Sequence, residues 1–301
     1  MSGTALRHRL ARRPPTLAPG VWDPLSARLA AQAGFDVLFV SGYGVSGTLL
    51  GLPDLGYLTQ TEMADAARRI HAAVPDALLV VDGDTGYGDE RSVRRTVELW
   101  EAAGAAGIFL EDQVWPKRCG HMAGKEVVPT DDWLARLRAA LDHRDHLHVT
   151  ARTDARGPLG LDAAVGRARA ALDLGVDAVF VEAPASVEEL EAIAAALPGA
   201  PLVANMVETG RTPLLTPDEL DELGVALVLS PVSALFAATK AIGDTLAQLA
   251  GHGSMRGHLD RLVSFDDFAE VVDLAAHRPD AVPPADAVPP PTDPSPPPGD
   301  G

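Results

Sequence analysis

Short apolar runs recur along the chain, and between them apolar residues return every three or four positions. The runs lie at 16–19, 37–41, 78–82, 108–112, 148–152, 178–182, 202–205 and 227–231, mostly as unbroken Val, Leu, Ile, Phe and Ala. An unbroken run of this length predicts a strand covered on both faces, since neither face is set aside for water. The stretches 92–103, 132–141, 161–174, 187–196 and 234–249 have helical spacing and are rich in Ala, Leu, Glu and Arg. Thr130 and Ser186, each followed by acidic residues, are expected N-caps, and Gly104, Gly175 and Gly224 fall where helices should stop.

Eight β-α units in one chain predict a (β/α)₈ barrel of the TIM type, with the domain running from 15 to 277. Polar residues cluster at the C-terminal ends of the runs: Asp23, Ser41, Asp82, Asp84, Glu111, Arg152, Asp154, Glu182, Asn205 and Pro231. That end is where such barrels carry their chemistry. Any one of these residues could be a cap or loop residue; the ring as a whole predicts a site.

Outside the barrel, residues 1–14 carry Arg7, Arg9, Arg12 and Arg13 and read as a basic, solvated N-terminal arm. A helical stretch at 259–276 is left over after eight units and is expected to pack on a neighbouring subunit. Ten of the 25 prolines lie beyond Arg278, so 278–301 reads as a disordered Pro/Asp-rich tail.

Charge narrows the partners. A net charge of −17 disfavours nucleic acid and anionic membranes, and no apolar run is long enough to span a bilayer. A single cysteine rules out a disulfide framework and fits a cytoplasmic protein.

That cysteine, Cys119, follows Lys117 and Arg118 and precedes Gly120 and His121. Nearby cations favour the thiolate, and Gly120 and Gly124 give the segment room to move. A lone cysteine is otherwise a small buried apolar residue. Asp82 and Asp84 lie two apart at the end of a run, so both carboxylates can face one cation, with Glu111 and Asp112 adding oxygens from the next. Mg²⁺, which keeps several waters, suits such a loose acidic set; two helix-capping aspartates are the alternative. The segment 42–47 matches G-x-G-x-x-G, but it follows the second run and predicts a flexible loop that cradles a carboxylate, with a dinucleotide site as the rival reading. His143, His146 and His148 precede a strand and are expected in a solvated loop at the far face. Arg152 is expected to clamp a carboxylate in two-point fashion.

Together these motifs resemble the isocitrate lyase / phosphoenolpyruvate mutase superfamily over about residues 15–276. The shared segments are SGYG with LGLPD (41–54), DGDTGYG (82–88), EDQ (111–113), KRCGH (117–121), ARTDA (151–155) and ANMVE (204–208). The resemblance implies a homotetrameric barrel with a C-terminal helix exchanged between subunits. It implies that Asp54, Asp82, Asp84 and Glu111 handle Mg²⁺, with Mn²⁺ as a substitute. Ser41, Gly42 and Tyr43 would hold an α-keto acid end, with Arg152, Glu182, Asn205 and Pro231 lining the pocket. Cys119 would be the acid on a gating loop, where Lys117, Arg118, Gly120 and His121 meet a second carboxylate. The implied activity is Mg²⁺-dependent C–C cleavage of a small 2-substituted malate or a methylisocitrate-like di- or tricarboxylate. P–C bond chemistry, as in a phosphonate mutase or hydrolase, is the alternative. Phe39 stands where isocitrate and methylisocitrate lyases carry a tyrosine, which points to the smaller malates.

Overall fold

The computed structural model describes residues 3–120, 122 and 124–278. Eight strands, β1 (Thr16–Val21), β2 (Val37–Val40), β3 (Leu78–Asp82), β4 (Ala105–Glu111), β5 (His148–Thr153), β6 (Ala178–Val181), β7 (Leu202–Asn205) and β8 (Val225–Ser230), close into one parallel barrel in sequence order. All eight apolar runs are strands, with ends shifted by up to three residues. The helices are α1 (Gly3–Leu10), α2 (Pro24–Gln32), α3 (Gly42–Val45), α4 (Gln60–Ala73), α5 (Glu90–Ala102) and α6 (Thr130–His143). They continue with α7 (Arg156–Leu159), α8 (Leu161–Leu174), α9 (Val187–Ala196), α10 (Pro217–Glu222), α11 (Ser233–His252) and α12 (Phe265–Val271).

The strands sort their side chains by alternation. Leu38, Val40, Leu79, Val81, Ile108, Leu110, Val179 and Val181 face outward, into a layer filled by Trp100, Trp133, Ile70 and Leu137 from the helices. Phe39, Val80, Phe109, Phe180, Val203 and Leu229 face inward and fill the barrel. The helix stops lie where expected, with Gly104, Gly175 and Gly224 all at positive φ. Ser186 caps α9 by accepting the Glu189 N–H, whereas Thr130 is already inside α6, whose N-cap is Pro129.

The N-terminal segment departs from the expected solvated arm. Gly3–Leu10 is a helix whose Leu6 is fully buried and whose Leu10 is 6% exposed, and both join the inward cluster at the bottom of the barrel. Leu6 packs so close to Gly107 of β4 that a Cβ there would lie 2.8 Å from it. Burying two leucines is worth roughly 1.5–3 kcal/mol each. The arginines then serve the same docking. Arg7 Nε and Nη2 reach the two oxygens of Asp177 at 2.7 and 3.1 Å, and Nη2 also donates to the Leu147 carbonyl.

The chain divides into two compact units, 1–255 and 256–301. Within the second, α12 is capped by Ser264 and carries a nearly fully exposed Phe265. The expected tail beyond Arg278 lies outside the described residues, apart from Arg278 itself. No helix among the described residues is long and apolar enough to cross a membrane.

Candidate active site

The alternation that fills the barrel also builds its mouth. Two residues beyond Phe39, Val80, Phe109, Thr150, Phe180, Val203 and Leu229 stand Ser41, Asp82, Glu111, Arg152, Glu182, Asn205 and Pro231. A step of two keeps a side chain on the same face, so each of these continues the inward row at the C-terminal rim. Six of the seven, together with Tyr43, Asp54, Lys117, Arg118, Cys119 and Gly120, line one cavity of about 310 Å³. Glu111 stands behind them, opposite Arg152 in the β4–β5 register.

One side of the cavity is acidic. Asp54, Asp82, Asp84 and Glu111 are all buried. The Lys117 ammonium, 4% exposed, lies between two of them, 2.5 Å from Asp54 and 2.7 Å from Asp84. Burial and then the Asp84 charge push the Asp82 carboxyl above its usual range. Burial pushes Glu111 well up, against the pull of Arg152. Lys117 is also pushed well up, since burial would lower it but Asp84, Asp54 and Asp82 outweigh the cost of burying its charge.

The other side is organised by Arg152. Its Nε and Nη2 take the two oxygens of Asp154 at 2.9 and 3.2 Å, so the two-point partner of this guanidinium lies within the protein. Glu111 is 3.5 Å away, Glu182 is 3.7 Å away, and the Phe180 ring lies under the guanidinium at 5.3 Å. Burial alone would raise the Asp154 carboxyl, but Arg152 and Lys125 hold it down at about 2. Asn205 Nδ2 points at the Glu182 carboxylate, 3.3 and 3.4 Å from its oxygens.

The segment with the cysteine lies over this side. Cys119 is partly buried and lines the cavity. Gly120 lies so near Arg152 and Glu182 that a Cβ would come within 2.5 and 2.6 Å of them, so no other residue fits without displacing the charges. His121 lies outside the described residues. Across the cavity, Tyr43 packs edge-on to Phe236, and burial, then Cys119 and Asp54, push its phenol above the usual value. The segment after Ser41 is not the flexible loop expected. Gly42–Val45 is a helical turn continued by a π-helical turn over Ser46–Leu50, and Ser41 Oγ accepts the Gly44 N–H. Gly42 eases the close approach there, since a Cβ would lie 3.0 Å from an Asp82 oxygen.

Several expectations outside the cavity resolve differently. Asp112 turns away from it, accepting from Thr153 Oγ1, the Asp154 N–H and Arg167 Nη1 at 2.6, 2.8 and 3.0 Å, so it is a structural anchor. His143 ends α6 and pairs with Glu98, as a solvated residue would. His148 instead opens β5 and is 2% exposed, and burial lowers its pKa to about 4.

Sequence reasoning missed Lys125, Glu208 and the aromatic floor. Lys125 is buried and reaches Asp154 at 2.6 Å. Glu208 lines the cavity and accepts the Ser233 hydroxyl from the first turn of α11. Phe39, Phe109 and Phe180 form a series, the first pair stacked at 5.4 Å between centroids and the second edge-on at 5.8 Å. Phe39 and Phe180 were legible as inward strand residues, each two positions before a predicted site residue; the partners of Lys125 were not.

The donor set is compatible with a divalent cation. Glu111 Oε1 is buried without a hydrogen-bond partner, and an acidic site whose carboxyls are pushed up calls for more positive charge than Lys117 supplies. Among the described residues, no three His, Cys, Asp or Glu side chains converge as a ready ligand set. A hard ion that retains waters fits that looser arrangement.

A family model described as phosphoenolpyruvate phosphomutase matches residues 6–250. The chain is 47% identical to the petal death protein of Dianthus caryophyllus over 261 residues, 86% of this chain and 81% of that protein. It is 45% identical to the chloroplastic carboxyvinyl-carboxyphosphonate phosphorylmutase of Arabidopsis thaliana, covering 86% and 77%. It is 41% identical to 2,3-dimethylmalate lyase of Eubacterium barkeri, covering 89% and 93%. Among solved structures, oxaloacetate acetylhydrolase bound to 3,3-difluorooxalacetate superposes with a TM-score of 0.86 at 38% identity, covering 92% of this chain and 95% of that one. With the barrel, the mouth and these likenesses in agreement, the chain belongs to the phosphoenolpyruvate mutase / isocitrate lyase superfamily and is an enzyme of it.

Proposed function

We propose that this enzyme is a Mg²⁺-dependent C–C lyase that cleaves a small 2-substituted malate to an α-keto acid and a carboxylate. The observation that carries the reading is the shared cavity, which brings the Cys119 thiol together with the acidic group of Asp54 and Asp82 and the cations Lys117, Arg118 and Arg152. Likeness to 2,3-dimethylmalate lyase and to oxaloacetate acetylhydrolase supports it.

Asp54, Asp82, Asp84 and Glu111 would hold the Mg²⁺. When bound, the ion neutralises charge on a carboxylate and the adjoining oxygen. Ser41, the Gly42–Tyr43 backbone and Asn205 orient the end that becomes the α-keto acid. As the substrate's 2-hydroxyl gives up its proton to a base on the acidic side, its carbon becomes the keto group and the C–C bond breaks. The electron pair of that bond leaves with the departing half as an enolate-like dianion, and a proton must reach carbon there to quench it. Cys119 Sγ–H supplies that proton from the segment over the cavity. Arg118, Gly120 and His121 meet the second carboxylate, and the segment keeps water out. Arg152, already facing Asp154, Glu111 and Glu182, acts by balancing charge beside the reacting carbons. Phe39 gives the floor an apolar ring, which suits an apolar substituent on the substrate.

The enzyme is further proposed to work as a homotetramer in a reducing cytoplasm. The helix α11 has no buried residue and leaves Ile242 and Leu246 more than half exposed, and Phe265 of α12 is bare. Apolar surface of that extent is normally covered, here by a helix exchanged between subunits. Light scattering on the eluting protein would return a mass four times that of the chain.

The deciding assay follows α-keto acid release from 2,3-dimethylmalate, citramalate, oxaloacetate, isocitrate and 2-methylisocitrate, with and without EDTA. Release from one of the smaller acids, lost with EDTA, is the expected result. The relative that is a phosphorylmutase, and a phosphonopyruvate hydrolase structure at 30% identity and TM-score 0.82, favour P–C chemistry as the second reading. Turnover of phosphonopyruvate with silence on every carbon acid would establish it.

A further inference from the structure

Lys125 lies outside the cavity, yet its buried ammonium touches both halves of the catalytic apparatus. It is 2.6 Å from Asp154 Oδ1 and it also donates to the carbonyl of Gly120, the residue after Cys119. The same Asp154 carboxylate takes Arg152 Nε and Nη2. Asp154 is itself fixed from behind, since its N–H donates to Asp112 Oδ1 and Asp112 is held by Arg167 and Thr153. A cation on an immovable carboxylate therefore ties down the backbone beside the thiol. We propose that Lys125 is a positioning residue that fixes Cys119 over the cavity and Arg152 beneath it, through the Gly120 carbonyl and Asp154.

The chemistry of the bridge explains why lysine serves. An ammonium has three donors on a flexible stem and can satisfy a carbonyl and a carboxylate at once. With Lys125 gone, the Gly120 carbonyl loses its charged donor and Asp154 keeps one cation where it had two. The cysteine segment would then be held from the side before the thiol, where Lys117 lies between Asp54 and Asp84 and the Gln113 amide brackets the Arg118 backbone. Its mean position would shift away from Arg152 and Glu182, which now leave no room for even a methyl group at residue 120.

The single cysteine makes the test clean. Alkylation of Cys119 by iodoacetamide is measured on the full-length protein at about pH 9.5, above the usual thiol pKa, so that exposure dominates the rate. Lys125→Met should raise the rate about tenfold or more, and Lys125→Arg should stay within about threefold of wild type because a guanidinium also bridges two acceptors. Melting temperatures are recorded for both variants. A Met variant that melts lower but alkylates at the wild-type rate overturns the proposal, since Lys125 would then only stabilise the fold. The kinetic arm rests on the lyase reading: kcat should fall about tenfold with KM changed less than about threefold, as expected when an interaction specific to the transition state is lost. An unchanged kcat overturns the link to Arg152. Should the wild type turn over none of the carbon acids, the lyase reading fails, while the alkylation arm still decides the role of Lys125.

Discussion

At the N-terminal end of the barrel two arginines, Arg7 and Arg144, share one carboxylate, Asp177; at the C-terminal end one arginine, Arg152, faces three. Both clusters use the same residue types. At the bottom each charge is answered: Asp177 also accepts the Val149 N–H, and both arginines reach the Leu147 carbonyl. Attraction, with burial opposing it, leaves the Asp177 carboxyl below its usual range. At the top the acids outnumber their partners, Glu111 keeps an unpartnered buried oxygen, and Asp82 and Glu111 are pushed upward. A closed account of charge marks structure, and an unbalanced one marks a place that awaits a ligand.

The contrast can be broken most sharply at the top. Cys119→Ser should reduce turnover about 10²–10⁴-fold, the usual contribution of a positioned acid, while Mg²⁺ and pyruvate binding by calorimetry stay close to wild type. Unchanged turnover would remove Cys119 from proton transfer. Asp82→Asn comes next and should weaken Mg²⁺ binding roughly 10–100-fold or more, with little change in melting temperature measured without metal. Equal affinity in a Mg²⁺ titration would place the cation elsewhere.

At the bottom, changes should cost stability and spare chemistry. Leu6→Ala removes the side chain that plugs the barrel and should cost about 2–5 kcal/mol in urea unfolding, with kcat within about twofold. A large kcat loss at unchanged stability would show that the plug reaches the site. The smallest effect is a pH dependence from His148, whose folded pKa is lowered to about 4, first by burial and then by Arg7 and Arg144 acting against Asp177. The unfolded imidazole binds a proton below its ordinary pKa of about 6.5 and the folded one does not, so stability present above that value is lost as pH falls from about 6.5 toward 4. The loss should reach about 2 kcal/mol by pH 5, and unfolding curves across that range that keep the same midpoint would contradict it.

Much of the site was legible because a strand repeats every two residues. Once 78–82 and 108–112 are taken as strands, Asp82 and Glu111 must follow Val80 and Phe109 onto the inner face, and the same step places Arg152, Glu182 and Asn205. Ser41 follows from the same rule, but the turn after it did not. The glycines at 42, 44 and 47 read as a loop, whereas the segment is wound into helical turns, Ser41 accepting from the Gly44 N–H at its start. The N-terminal arm was misread for a related reason. Its four arginines outweigh Leu6 and Leu10 in any composition, and only an open barrel end turns two leucines into a plug.

By itself, then, the chain determined what repeats locally: eight buried runs, the helices between them, and which residue of each run reaches the mouth. Those features depend on the two-residue period of a strand and the 3.6-residue period of a helix, which act over a few neighbours. The partners of the buried charges were decided only by the closed barrel. Arg7 finds Asp177 across 170 residues, Lys117 finds Asp54 and Asp84 on two other segments, and Lys125 finds Asp154 across 29. Sequence spacing carries no record of such meetings, because a buried cation takes whichever carboxylate the packing brings within about 3 Å and excludes water from.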